Sequence, residues 1–207
     1  MKYINKFKSI INSNKKLYIF SLTIMILGVV FGAVFFNMLG SNDKNLVITK
    51  ITDFIMSIQN GKLDCFSAFK NTLISNITFI ILIWFLGISV IGIVVIIIML
   101  FIKGFILGFS IGALIYKYKL LGILSSIVYI FPHQLMNFFI TLIVGIFSLK
   151  LAFNLSKAIF KKGTINFKDG MKQYYFILFS SIVFTVMASA IEIYVLPVSI
   201  NLFKFLF

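Results

Sequence analysis

The chain has 207 residues, 61% of them hydrophobic, and its mean hydropathy of +1.11 excludes an ordinary soluble domain. All of its basic residues are lysines, and the formal net charge of +14 would suit a nucleic-acid binder by number alone. However, the lysines cluster beside apolar segments and form no basic groove interleaved with aromatic residues, so they indicate membrane orientation and no nucleic-acid partner.

Long segments without charge define the fold class. Residues 17–42 and 71–102 contain no acidic or basic residue; His133 interrupts residues 120–149, and Glu192 interrupts residues 174–203. About 20 apolar residues span a bilayer as a helix, and the lipid bilayer is therefore the first partner. The chain is predicted to be an all-α, polytopic membrane helical bundle with about five transmembrane helices.

The chain begins with a basic segment, residues 1–16, which places the N-terminus in the cytoplasm. Residues 17–207 then form a single transmembrane domain, and its first span is 17–39. This apolar run is too long for the core of a signal peptide, and no small-residue cleavage site follows it, so an uncleaved span is expected.

Residues 40–72 form the predicted outer loop. Its apolar residues recur at helical spacing in two groups, which predicts two short amphipathic helices on the outer membrane surface. The groups are Val47, Ile51, Phe54, Ile55 and Ile58, followed by Phe66, Phe69 and Leu73. Ile51, Phe54 and Ile58 are partner-docking candidates, and packing of this helix on the bundle is the alternative.

Residues 73–116 are too long for one span and are predicted to form a helical hairpin. The turn could lie near residues 87–92 or near 99–103. The first choice leaves Lys103 inside the membrane, which is costly unless the ammonium group is paired.

Residues 120–155 are expected to cross once, in a span broken by Pro132. A cytoplasmic loop follows at residues 156–173, and the last span covers residues 174–203. Pro197 is expected to bend or end that last helix. Lys117 and Lys119 fall on the outer side in this topology.

Small residues at four-residue spacing indicate close contact between helices. They comprise Gly28 and Gly32 in the first span and Gly104, Gly108 and Gly112 in the hairpin. This pattern explains how a bundle assembles and not what it does.

Three intramembrane polar residues are candidates for function: Glu192, His133 and Asn137. Glu192 is the one acidic residue within an apolar span, and such carboxylates usually face a bundle interior or a water path. His133, Gln134 and Asn137 are the expected partners for it by depth, and a carboxylate solvated near the outer interface is the alternative.

No set of residues predicts catalysis, a cofactor or a metal site. Ser110 lies in a Gly-x-Ser-x-Gly pattern, but two of its defining glycines belong to the packing stripe, and that motif needs a strand–turn–helix elbow. One cysteine, Cys65, and one histidine are too few ligands for a dedicated Cys/His metal site.

Several short segments, in this order, resemble the stage II sporulation protein M family of endospore-forming bacteria. They are residues 28–32 with Asn37; residues 84–89; Lys103 and Gly104 with Gly108 and Gly112; Phe131 and Pro132; and Glu192 with Pro197. The family pattern at the proline is Pro-His-Gly followed three residues later by Glu. This chain keeps Pro132 and His133 but has Gln134 and Asn137 at the other two positions.

The resemblance implies a non-enzymatic scaffold in the mother-cell engulfing membrane. It would anchor two peptidoglycan-degrading partners, stage II sporulation proteins D and P, during engulfment of the forespore. A membrane subunit of a transporter or exporter is the first alternative, and an intramembrane serine protease using Ser110 and His133 is the second. The sequence also allows a homo-oligomer.

Overall fold

The computed structural model describes residues 15–60, 64–119, 123, 131–161 and 167–202. Over these ranges the regular secondary structure consists of six helices and no strand. They are α1 (Lys15–Met38), α2 (Ser41–Gln59), α3 (Cys65–Leu86), α4 (Gly92–Tyr118), α5 (Phe131–Lys161) and α6 (Phe167–Leu202).

Five of these helices are long and apolar enough to cross a membrane, and α2 is the exception. The predicted all-helical bundle with five spans is therefore confirmed. The lysine distribution assigns the end that contains α2 to the outside. We call it the outer end, and the end that contains Lys15 and the α3–α4 turn the inner end.

The contact between α1 and α4 is made by glycines on both helices. A Cβ added at Gly104 or Gly108 would lie 2.1 Å from the Met25 carbonyl oxygen or 1.9 Å from that of Val29. Conversely, a Cβ added at Gly32 would lie 2.1 Å from the Phe105 oxygen. The two backbones touch directly, which is the close approach that small residues permit in membranes.

Aromatic rings flank this glycine contact. The ring centroids of Phe35 and Phe105 lie 5.5 Å apart. Phe36 and Phe109 form an edge-to-face pair with centroids 5.3 Å apart. Such tilted and edge-to-face pairs add about 0.5–1.5 kcal/mol each beyond the area they bury. This α1–α4 contact, which we call the glycine seam, thus consists of backbone atoms at its centre and aromatic rings along one side.

The α3–α4 turn lies at residues 87–91, at the inner end, which settles the two positions left open by the sequence. A Cβ at Gly92 would lie 1.8 Å from the Leu86 carbonyl oxygen, so glycine is required for so tight a reversal. The turn near residues 99–103 does not form, because α4 continues through this segment. Lys103 consequently lies in the interior of a span.

The outer loop contains one amphipathic helix and not two. α2 carries the first apolar group, but Phe66 and Phe69 lie in the opening turns of α3, which continues as a span. The Asp64 side chain caps α3: its Oδ1 accepts from the backbone N–H of Phe66 at 3.1 Å and of Ser67 at 3.4 Å. This cap starts a helix where the amphipathic pattern alone predicts a separate surface segment.

The Asp64 cap predicts a local pH dependence. Hydrogen bonds from Ser67, above all from its hydroxyl, hold the Asp64 pKa below its ordinary value of 3.8. The carboxylate therefore stabilises the start of α3 above the unfolded-state pKa, and this stabilisation is lost as pH falls through the lowered pKa. We expect amide-exchange protection of Phe66 and Ser67 to fall below about pH 4. An Asp64→Asn variant should lack this fall, and an identical profile in that variant would contradict the assignment.

α2 is fixed to the outer end by polar contacts on both of its halves. Lys44 donates to the Asn37 carbonyl oxygen at 2.8 Å and lies over the ring of Tyr116. Further along, the Lys117 ammonium donates to the hydroxyl of Thr52. Lys117, which the predicted topology places on the outer side, thus contacts α2.

α5 is the most buried of the five spans and contacts α1, α3, α4 and α6. It begins at Phe131, so Pro132 lies in its first turn, where proline costs no helical hydrogen bond. The predicted break of the 120–155 span at Pro132 also depends on the residues that precede α5, and it stays a prediction. The expected segment at residues 120–130 lies, apart from residue 123, outside the described residues.

The two helices at the inner end extend further than the predicted boundaries. α5 continues to Lys161 and α6 starts at Phe167, so most of the expected cytoplasmic loop is helical. α6 also remains helical through Pro197 to Leu202, and this proline therefore does not end the helix at its own position.

Candidate functional site

A polar stripe on α3 faces one side of the bundle. Asn71, Thr72, Ser75 and Asn76 recur at the spacing of one helical face, within a span whose remaining residues are mostly apolar. On α4 the matching charge is Lys103. The helical hairpin brings these two groups together, because its turn lies at residues 87–91.

These residues line a cavity of about 370 Å³ between α3, α4 and the start of α5. It lies in the outer half of the bundle, since Gln134 belongs to the first turns of α5. Asn71 and Ser75 are exposed, so the cavity opens along the edge of α3. Its lining consists of Asn71, Thr72, Ser75, Asn76, Lys103, Gln134 and Asn137, with Ile106, Leu107 and Phe138.

Lys103 is paired inside the bundle. Its Nζ donates to Asn76 Oδ1 at 2.8 Å and lies 5.2 Å from the centroid of the Phe79 ring. Both contacts come from α3. A buried ammonium is costly without such partners, so the pairing explains why the turn at residues 87–91 is compatible with a lysine at this depth.

Asn137 brings an unpaired acceptor to the same cavity. Its side chain is only 4% exposed, and Oδ1 has no hydrogen-bond partner among the described residues. The Thr141 hydroxyl bonds the backbone oxygen of Asn137 and not its amide. An unsatisfied buried polar group costs about 1–3 kcal/mol, so this oxygen should meet a donor from outside the described residues.

The structure brings together only part of the predicted polar set. Asn137 lines the cavity, and so does Gln134, one of the residues expected to be a partner of Glu192. His133 and Glu192 are helical residues of α5 and α6, but their side chains lie outside the described part of the structure. The pairing expected for Glu192 therefore stays a prediction.

Ser110 lies in the interior of α4, and its hydroxyl donates to the Ile106 carbonyl oxygen of the preceding turn at 3.0 Å. Gly108 and Gly112 on either side contact α1. The local structure is a helix and not the sharp elbow that exposes a nucleophile, so this Gly-x-Ser-x-Gly pattern belongs to packing.

The three docking candidates on α2 differ in accessibility. Ile58 is 4% exposed, so the bundle already covers it, and Ile51 is half-buried. Phe54 is 37% exposed at the flank of the helix. The surface turned away from the bundle is instead formed by Leu46, Lys50, Asp53 and Met56, which we call the outward α2 face.

A second polar contact, at the inner end, was not predicted. The Tyr174 hydroxyl donates to the Trp84 carbonyl oxygen at 2.5 Å and lies 2.9 Å from Ser148 Oγ. Because a tyrosine has one hydroxyl hydrogen, Ser148 must be the donor in the second bond. A Cβ on Gly87 would lie 2.1 Å from the Tyr174 oxygen, so glycine leaves room for this junction of α3, α5 and α6.

Residues 84–89, one of the segments that carry the family resemblance, contribute Trp84 and Gly87 to this junction. Two other such segments, residues 28–32 and 104–112, form the glycine contact between α1 and α4. A model of the family described as stage II sporulation protein M matches residues 21–197, from the first span into the last. Searches of curated proteins and of solved structures gave no match. The chain therefore belongs to the stage II sporulation protein M family and is a multi-pass membrane protein of sporulation.

Proposed function

We propose that this protein is a non-enzymatic scaffold for peptidoglycan remodelling in the mother-cell engulfing membrane. It would hold the peptidoglycan-degrading stage II sporulation proteins D and P during forespore engulfment. Membership of the stage II sporulation protein M family supports a role in sporulation. The observation that carries the scaffold role is α2, a helix held rigidly at the outer end with one face turned away from the bundle.

The anchoring of α2 favours a docking role over a role in lipid contact alone. Ile55 and Ile58 are buried against the bundle, and Thr52 binds the ammonium of Lys117. A helix fixed in this way presents its other face at a defined angle, so little ordering entropy remains to be lost on binding.

The outward α2 face has the mixed character of a protein-binding surface. Leu46, 61% exposed, and Met56 supply apolar area, and Lys50 and Asp53 lie between them. Apolar contacts surrounded by polar groups are typical of non-obligate protein interfaces. A purely lipid-facing helix would lack the two charges in this position.

The transporter alternative needs a cytoplasmic helix that couples the bundle to an ATPase. Residues 157–172, in the predicted cytoplasmic loop, are the candidate segment for it. α5 occupies this segment up to Lys161 and α6 from Phe167 onward, so only residues 162–166 remain between two spans. That is too short for a separate coupling helix, which needs at least two turns.

The test is a crosslinked pull-down from sporulating cells with a tagged full chain. The docking variant carries Leu46→Asn and Met56→Asn, and the control carries Asn42→Ser and Asn45→Ser on the same helix. We expect about tenfold less hydrolase with the docking variant, since loss of a central apolar contact costs more than about 1 kcal/mol.

Equal membrane levels of both variants must be verified first. Unchanged recovery of hydrolases with the docking variant would contradict docking on α2. Recovery of a cytoplasmic ATPase without any hydrolase, from the unaltered protein, would favour the transporter alternative.

A further inference from the structure

A small pocket lies between α5 and α6 at the inner end, far from the outward α2 face. We call it the inner pocket. Its volume is about 90 Å³, and its lining consists of Phe147, Lys150, Leu151, Asn154, Gln173 and Tyr174. The four residues from α5 recur at three- and four-residue spacing, so one face of that helix forms one wall, and the start of α6 forms the other.

The inner pocket lies at the depth of the lipid headgroups of the inner leaflet. A Cβ on Gly87 would lie 2.8 Å from the Ser148 Cβ, so Ser148 is level with the α3–α4 turn, where the chain reverses at the inner surface. Lys150 follows Ser148 by two residues, about 3 Å further along the helix. Because the lysine distribution makes this end cytoplasmic, the pocket faces the leaflet whose anionic lipids create a negative surface potential.

The charge of the inner pocket comes from Lys150, which is half-buried. Within the described part of the chain, its ammonium group makes no hydrogen bond and no ion pair. The acidic residues whose side chains the structure describes are Asp43, Asp53 and Asp64, and all of them lie at the outer end. A partly desolvated ammonium group without an anion beside it favours an anionic ligand.

Two amides extend the set of donors beyond this charge. Asn154 from α5 and Gln173 from α6 are half-buried, and neither side chain has a hydrogen-bond partner among the described residues. Each amide carries an NH2 group that can donate to an anionic oxygen. An anion in the inner pocket would therefore accept hydrogen bonds from three side chains on two helices.

Size limits what the inner pocket can enclose. Its volume of about 90 Å³ equals that of about three water molecules, at roughly 30 Å³ each. The oxygens of one phosphate group fit this space, whereas sites that enclose a whole small ligand measure roughly 300–1,000 Å³. A ligand can therefore place only its anionic group inside, and the rest of the molecule must lie outside.

The surface outside the inner pocket is apolar on the side of the bilayer centre. Ile143, 41% exposed, precedes Phe147 by one turn of α5, and Phe176, 69% exposed, follows Gln173 by one turn of α6. A ligand with its anionic group in the pocket would meet these side chains next. That sequence of surfaces matches a phospholipid, with its phosphate in a basic pocket between helices and its acyl chains along them.

We propose that the inner pocket binds the phosphodiester group of an anionic phospholipid from the inner leaflet. The phosphate oxygens accept hydrogen bonds from Lys150, Asn154 and Gln173. The acyl chains extend along Ile143 and Phe176 toward the bilayer centre. The proposal does not depend on the scaffold function or on docking at α2.

Native mass spectrometry of the full chain tests this proposal. The detergent contains equal amounts of phosphatidylglycerol and phosphatidylcholine with the same acyl chains. We expect about tenfold preferential retention of phosphatidylglycerol, because its phosphate is not offset by a cationic group on the same lipid. Equal retention of the two lipids would overturn the proposal.

Two variants and a matched control locate the binding. Lys150→Met should lower the preference about fivefold, the factor expected for one lysine beside an anionic lipid surface. Gln173→Leu, which removes an amide and no charge, should lower it about twofold or more. Lys157→Met removes an equal charge from an exposed position on the same helix and should leave the preference unchanged.

The comparison of the two lysine variants separates a site from diffuse attraction. Equal losses in Lys150→Met and Lys157→Met would show that the lipid follows the overall positive charge, and the proposal would be wrong. Each protein is first checked for a monodisperse peak on size-exclusion chromatography. If Lys150→Met fails this check, Gln173→Leu decides, since full preference in that variant would place the lipid elsewhere.

A soluble competitor separates a lipid site from a site for a free phosphate ester. Glycerol 3-phosphate at millimolar concentration should not displace the lipid, since it lacks the acyl chains that contact Ile143 and Phe176. Displacement together with direct binding of glycerol 3-phosphate would overturn the assignment of a lipid.

Discussion

Replacing Gly108 by alanine should destabilise the bundle more than the same change at any exposed glycine. The added Cβ would lie 1.9 Å from the Val29 carbonyl oxygen and 2.7 Å from the Val29 Cα. Both atoms belong to the backbone of α1, so no side chain can rotate away and the two helices must separate. Overpacking of this kind costs about 1–3 kcal/mol, and we expect the upper part of that range.

The measurement is the temperature at which half of the purified protein leaves the monodisperse peak on size-exclusion chromatography. Gly112→Ala is the matched control in the same seam, because its Cβ would lie 3.1 Å from the nearest atom, Ala33 Cα, and should cost less. Gly40→Ala meets no clash, since its nearest contact is at 4.0 Å, and should cost only the small loss from alanine at the N-cap of α2. A Gly108→Ala protein as stable as the Gly40→Ala protein would show that α1 and α4 do not pack this way.

Replacing Tyr174 by alanine should have a comparable or larger effect at the opposite end. The residue is 3% exposed, its ring stacks on Trp84 with centroids 5.2 Å apart, and its hydroxyl joins α6 to α3 and α5. Truncation of a buried aromatic side chain costs about 3–5 kcal/mol. Loss of the hydroxyl also leaves the Ser148 donor without its acceptor.

Trp84 is the only tryptophan in the chain, so its fluorescence reports on this junction directly. The denaturant midpoint followed by this emission should fall for Tyr174→Ala and fall less for Tyr174→Phe. Tyr175→Ala is the neighbouring control, since Tyr175 also contacts Trp84 but is exposed. Equal midpoints for Tyr174→Ala and Tyr175→Ala would mean that the junction contributes nothing to stability.

The glycine seam illustrates what the sequence could and could not predict. Four-residue spacing identifies which face of a helix packs closely, because that face repeats every turn. It does not identify the partner, since Gly28 and Gly104 are compatible with many pairings. Only the three-dimensional structure shows that α1 and α4 use their glycines against each other.

The cavity shows the same limit for a functional site. Lys103 was recognisable as costly within a span, but residues 73–102 contain no charged residue that would mark a turn, so the turn could not be located. The Lys103–Asn76 pair depends on that turn. Asn137 was a candidate by itself, and its position beside Lys103 depends on a third helix. The Tyr174–Ser148–Trp84 junction joins residues from three helices and leaves no local periodicity in the sequence.

The sequence predicts that α2 is a helix with an apolar side, but it does not show which surface that side contacts. An amphipathic helix outside the membrane can place its apolar side on lipid or on protein, and the pattern is identical in both cases. Because Ile58 packs on the bundle, the docking surface that we propose is the outward α2 face and not the face of the apolar pattern.

The direct contact of α1 with α4 also imposes an order on biosynthesis. α1 leaves the ribosome before the other described spans, and the helix that covers its glycines ends 80 residues after Met38, at Tyr118. At typical synthesis rates this interval lasts on the order of ten seconds, during which the exposed backbone of α1 must be shielded by lipid or by the insertion machinery. Insertion of α3 and α4 as a preformed hairpin would cover the glycines of α1. A chain stalled before residue 118 would leave them uncovered and would be a substrate for membrane quality control.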